Sequence, residues 1–97
     1  MSADQTEDER ADLEGLLLAF DTLMASPEPD AAAIERLADR AHQLTQSGDT
    51  QIAAAAERLE LRMLGALLVC RAAVLRGLAE QLQRLAHMLP PAHPEYN

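Results

Sequence analysis

Apolar residues recur at every third or fourth position along most of the chain, which is the spacing of one face of an α-helix. Proline and glycine separate three such stretches, which predict helix 1 over about 6–25, helix 2 over about 31–46 and helix 3 over about 50–89. Residues 90–97 include three prolines and are predicted to form a flexible tail. The pattern therefore predicts one all-α domain over residues 1–97, a three-helix bundle with two short helices and one long C-terminal helix.

Capping residues mark the ends of the predicted helices. Thr6 and Glu9 have the spacing of a capping box, in which each side chain accepts a hydrogen bond from the backbone amide of the other residue. Asp30 is a good N-cap for helix 2. Gly48 is predicted to stop helix 2, because glycine adopts the left-handed C-cap conformation without a Cβ penalty.

The long predicted helix has leucine at eight of nine positions that alternate three and four residues apart, and arginine at the ninth. This heptad pattern is typical of a helix that packs against another helix along its length. We call the nine residues the leucine stripe: Leu61, Leu64, Leu68, Arg71, Leu75, Leu78, Leu82, Leu85 and Leu89. A second stripe, the small-residue stripe, lies on nearly the opposite side: Ile52, Ala56, Leu59, Met63, Ala66, Cys70, Ala73 and Gly77.

Helix 3 is predicted to be about 60 Å long, as long as the first two helices together. Either helices 1 and 2 line it in sequence, or one half of it projects. Between residues 63 and 75 it is apolar almost all the way round, and such a helix needs neighbours on every side. We therefore expect a second copy, in a homodimer that forms a larger helical bundle, or an amphipathic helix of another protein to cover the rest.

Three residues in helix 3 interrupt its apolar pattern. Arg71 is predicted to set the alignment of the interface by pairing with one carboxylate, for which helix 1 offers many candidates. The alternative is that its stem packs while the guanidinium reaches water. Gly65 and Gly77 each cost roughly 1 kcal/mol relative to alanine. We expect them to permit close approach of another helix on the small-residue stripe, and a tolerated or kinked site is the alternative.

Composition narrows the class of protein. Alanine and leucine supply 19 and 17 of the 97 residues, whereas valine and isoleucine occur twice each and aromatic residues only as Phe20 and Tyr96. A β-sheet protein is therefore excluded, and the single cysteine excludes a disulfide scaffold. No uncharged apolar run approaches the roughly 18–20 residues that cross a bilayer. The acidic start is unlike a secretory or transit peptide, so a cytoplasmic protein is expected.

The net charge of −8 is concentrated at one end of the chain. Residues 1–30 hold nine acidic residues and one arginine, while residues 31–97 hold seven of each. Such an acidic surface repels phosphate backbones, so nucleic acid is not expected as a partner. The simplest interpretation is that this acidic face is solvated and keeps the protein in solution. The functional alternative is that it faces a cationic surface of a partner.

Residues suited to catalysis or metal binding are few. Asp39 and His42 lie three residues apart on helix 2 and are predicted to form a surface ion pair, because no second such pair completes a di-metal site. Cys70 lies within the apolar run and is predicted to be an unreactive buried thiol. No phosphate-binding glycine loop or nucleophile–base pair occurs. We therefore predict no enzyme activity, no cofactor and no metal, with an enzyme site at the dimer interface as the least favoured alternative.

Two shorter helices, a long Leu- and Ala-rich helix and a tail that contains Tyr96 resemble the flagellar export chaperones of the filament-junction type and their type III secretion relatives. The resemblance covers residues 11–89 and Tyr96. It implies a non-enzymatic adaptor, chaperone or regulatory subunit whose long helix holds an amphipathic segment of a secreted partner. The competing hypothesis is a purely structural homodimer that consumes its whole apolar surface.

Overall fold

The computed structural model describes residues 3–89, so the predicted flexible tail and Tyr96 lie outside the described residues. It contains three helices: α1 (Ala3–Met24), α2 (Ala31–Leu44) and α3 (Thr50–Met88). No strand occurs within residues 3–89, and the prediction of an all-α, three-helix fold is confirmed.

The start of α1 differs from the prediction. The helix begins at Ala3, so Thr6 lies inside it and the predicted capping box is wrong. No glycine or proline separates Ala3 from Thr6, and Asp4 stands in the first turn, where the helix dipole favours a negative charge. Glu9, the other half of the predicted box, instead accepts a 2.7 Å hydrogen bond from the hydroxyl of Ser47, between α2 and α3.

Aspartate side chains cap the two later helices. Asp30 precedes α2, as predicted, and its carboxylate accepts a 3.0 Å hydrogen bond from the amide of Ala32. Asp49 precedes α3 in the same manner and accepts hydrogen bonds from the amides of Gln51 and Ile52. Each cap satisfies amides that have no partner within the first turn of the helix.

The end of α2 is a tight turn rather than a glycine cap. The helix ends at Leu44, two residues before the predicted end, and Gly48 does not adopt a positive φ. The amides of Gln46 and Ser47 donate instead to carbonyls three residues earlier, those of Gln43 and Leu44. Because this turn satisfies the final carbonyls with right-handed backbone, the left-handed conformation expected at Gly48 is not needed.

A single apolar core is formed by α1, α2 and the N-terminal half of α3. The side of α3 that packs into the core is the small-residue stripe, from Ile52 to Met63, with Leu67 beside it. The core residues are Leu13, Leu16, Phe20, Ile34, Ala38, Ala41, Leu44, Ala56, Leu59, Met63 and Leu67. On α3 the buried face is the N-terminal part of the small-residue stripe, whereas the leucine stripe, which has the same three-to-four-residue spacing, lies outside the core.

Polar contacts between helices lie at the edge of this core. Arg40 on α2 donates a 2.9 Å hydrogen bond to Asp12 on α1. The guanidinium of Arg62 on α3 lies 5.4 Å from the centre of the Phe20 ring on α1, within the range of a cation–π interaction. The first contact joins α2 to α1, and the second joins α1 to the first half of α3.

Beyond residue 74, α3 leaves the core and continues as a single helix. We call residues 75–89 the arm and residues 4–74 the body; every arm residue is exposed except the half-buried Gly77. The molecule measures 77 × 26 × 14 Å. Of the two arrangements considered for the long helix, the structure has the projecting one. α3 is continuous through Gly65 and Gly77.

Candidate interaction surface

The leucine stripe is exposed along its whole length. Its eight leucines keep between 41 and 68% of their surface accessible, on the body as well as on the arm. Met63, on the other side of α3, is 0% exposed. One side of α3 therefore builds the core, while the described residues leave the leucine stripe uncovered.

The stripe spans residues 61–89, a distance of about 42 Å along α3. It ends sharply, because Glu57 occupies the preceding position of the pattern and Pro90 follows the last leucine. A strict seven-residue repeat drifts by about 20° per heptad on a straight α-helix. The stripe therefore winds slowly around α3, which is the path a partner helix follows in a left-handed coil.

A row of small residues that was not predicted from the sequence borders the stripe. Gly65, Ala72, Ala79 and Ala86 recur every seven residues, each one position after a stripe residue. Ala72 is half-buried and the other three are exposed. We call this row the Gly/Ala flank. Since the side chains at a contact set the distance between packed helices, the flank permits a close approach from this side. The seven-residue repeat of these small residues is visible in the sequence and could have predicted the flank.

The glycines do not mark a close approach within the chain. A Cβ added to Gly65 or Gly77 meets no neighbouring atom within 4 Å. The expectation of a tight helix contact at these positions is therefore wrong for the isolated chain. The reason is geometric: Gly65 lies in the exposed Gly/Ala flank, and Gly77 lies beyond residue 74, where α1 and α2 no longer accompany α3.

Arg71 is the fourth of the nine stripe positions and lies close to the point where the body meets the arm. Its Nη2 donates to Oε2 of Glu35 on α2 at 3.0 Å. Arg71 thus pairs with a carboxylate on α2 rather than with one of the candidates on helix 1, because α2 runs antiparallel beside this part of α3. The side chains are 56 and 53% exposed, so solvent screens the pair and it contributes at most about 1 kcal/mol.

The other candidate residues are dispersed over the body. His42 Nδ1 lies 3.0 Å from Oε2 of Glu60, so the predicted pair with Asp39 is wrong; the packing of α2 on α3 brings residue 42 opposite residue 60. Cys70 is half-buried beside a shallow hollow under the α1–α2 connection. Within residues 3–89, no three His, Cys, Asp or Glu side chains are grouped so that they could hold a metal ion.

Among residues 3–89, no helix combines the length and the apolar character that crossing a membrane requires. Comparison of the chain with models of protein families, with curated proteins and with solved structures finds no match. The case for a function therefore rests on the geometry of the leucine stripe.

Proposed function

We propose that the protein is a non-enzymatic helical interaction module that binds a partner helix through the leucine stripe. The observation that carries the proposal is the exposure of eight regularly spaced leucines on a helix whose other apolar face is buried. Monomeric proteins rarely expose contiguous apolar patches of more than a few hundred Å², and larger patches mark binding surfaces. The binding mode is a helix laid against the stripe, with the leucines as anchors.

The energy available from the stripe supports this assignment. Full burial of a leucine contributes about 1.5–3 kcal/mol relative to exposure. Since the eight leucines are on average about 60% exposed, covering them contributes roughly 7–14 kcal/mol from this chain alone. The partner's apolar face adds a similar amount. Association costs about 4–15 kcal/mol in lost freedom, so a partner helix of matching length gives a stable complex.

The chemistry expected of the partner follows from the stripe and its surroundings. A partner helix presents apolar residues at alternating three- and four-residue spacing, so that they interdigitate with the leucines. The nine acidic residues among residues 1–30 favour basic residues on its polar face. An adaptor, a regulatory subunit or a chaperone of the kind that the family resemblance implies would each use the stripe in this manner.

Photo-crosslinking in cells that naturally produce the chain tests the proposal. A photoreactive phenylalanine replaces Leu68 in one variant and Val69 in a matched control. Both native side chains are 68% exposed, but they point about 100° apart around the helix, so only Leu68 lies in the stripe. Leu82 and Gln83 on the arm provide a second pair of the same kind.

We expect crosslinks to a helix of a partner at Leu68 and Leu82, and at most a small fraction of that yield at the two control positions. Circular dichroism of each purified variant checks that its helix content is unchanged. Equal yields at stripe and control positions, or no crosslink at the stripe, would contradict the proposal. Mass spectrometry of the crosslinked peptides then distinguishes a second copy from another protein.

A further inference from the structure

We infer that the helix covering the leucine stripe belongs to a second copy of this chain, bound antiparallel so that each arm lies along the body of the other copy. This inference rests on the proposed function and adds the identity and the orientation of the partner. Three features carry it: the symmetry of the stripe, the symmetry of the Gly/Ala flank and the distribution of charge between body and arm.

The leucine stripe matches itself end for end. Leu75 is its midpoint, and Leu61 precedes it by as many residues as Leu89 follows it. A second copy reversed about Leu75 therefore places stripe on stripe along the full length of about 42 Å. The exposed arm of each copy then covers the half of the stripe that lies on the other body.

The Gly/Ala flank has the same symmetry. A two-fold axis that reverses one helix brings the same flank of both helices together, so that Gly65 of one copy lies within one residue of the level of Ala86 of the other, and Ala72 likewise of Ala79. Small residues then meet small residues along one whole side of the interface, and the helices pack closely there. A parallel pair would instead set this flank against the opposite flank, which carries larger exposed side chains such as Val74 and Met88.

Charge favours the antiparallel orientation. Residues 1–74 hold fourteen acidic residues and six arginines, a net charge of −8, while the arm holds two arginines and one glutamate, a net charge of +1. A parallel pair would place two bodies side by side at the 8–10 Å spacing of packed helices, about one Debye length. In the antiparallel pair the body centres, near residue 60, are about 45 Å apart, which is several Debye lengths.

Sedimentation equilibrium of the purified full chain tests the identity of the partner. We expect the wild type to have twice the 10.5 kDa mass of one chain. Leu68→Asp places a charge in the interface and should raise the dissociation constant at least about 100-fold, whereas Val69→Asp should change it less than about threefold. A wild type that is monomeric at every concentration would overturn the inference. Crosslinks from the stripe to a different protein would then leave the proposed function standing.

Distances between spin labels test the orientation. Cysteines replace Arg58, Arg76 and His87 one at a time in a Cys70→Ala background, and pulsed electron spin resonance measures the distance between the two copies. For the antiparallel pair, the separations along the helix axis are roughly 3 Å at residue 76, 36 Å at residue 87 and 51 Å at residue 58. Equal, short distances at all three positions would indicate a parallel pair and overturn the antiparallel assignment.

Discussion

Replacing Met63 by alanine tests the division of α3 into a core side and a binding side. Met63 is 0% exposed and belongs to the core that joins the three helices. Large-to-small changes of buried methionine cost about 2–5 kcal/mol, because burial is lost and a cavity remains. In a domain of this size, each kcal/mol corresponds to roughly 4–8 °C in the midpoint of thermal unfolding, so we expect a fall of at least about 8 °C.

The matched control is the neighbouring residue of the stripe, Leu64, which is 41% exposed. Urea unfolding, followed by circular dichroism at two protein concentrations, separates the two roles. The loss of stability in Met63→Ala should be the same at both concentrations, because the core lies within one chain. If a second copy covers the stripe, the loss in Leu64→Ala should be larger at the higher concentration, where more of the chain is dimeric. A Met63→Ala variant as stable as the wild type would refute the assignment of this side to the core.

Three smaller predictions follow from individual positions. Gly65→Ala and Gly15→Ala should each raise the free energy of unfolding by about 0.5–1 kcal/mol, since a Cβ meets nothing at either position; only Gly65→Ala should weaken dimerisation in sedimentation. Asp49→Ala should lower that free energy by about 1 kcal/mol in urea unfolding, because two amides of α3 lose their acceptor. Glu35→Gln should change it by less than about 1 kcal/mol, because the pair with Arg71 is half exposed; a larger loss would show that this ion pair is structural.

Local patterns in the sequence predicted the three helices. The spacing of apolar residues identified all three helices, and Asp30 caps α2 as expected. The errors came from competition between local signals. Thr6 can serve as a cap, but no helix breaker precedes it, so the helix extends to Ala3. Gly48 can adopt a left-handed conformation, but the turn before it already satisfies the carbonyls.

The contacts between helices depended on tertiary geometry that no local pattern contains. The pairs of Arg71 with Glu35 and of His42 with Glu60 follow from how far α2 lies along α3. Periodicity alone predicted that both stripes of the long helix pack against other helices. It could not decide which stripe the chain covers itself, because that depends on where α1 and α2 are placed.

The arm links the stability of the fold to the proposed interaction. It contains 15 residues packed against no other helix of the described chain, and isolated helices of about 12–15 residues are marginal in water. Its helical form is supported by continuity with the body and, under the proposed interaction, by the partner that covers its leucines. If a second copy covers them, monomeric Leu68→Asp should show fast amide hydrogen exchange in residues 75–89 and slow exchange in the core of the body. In the wild-type dimer the same amides should be protected. Equal exchange rates in the two proteins would show that helix formation in the arm does not depend on binding of a second copy.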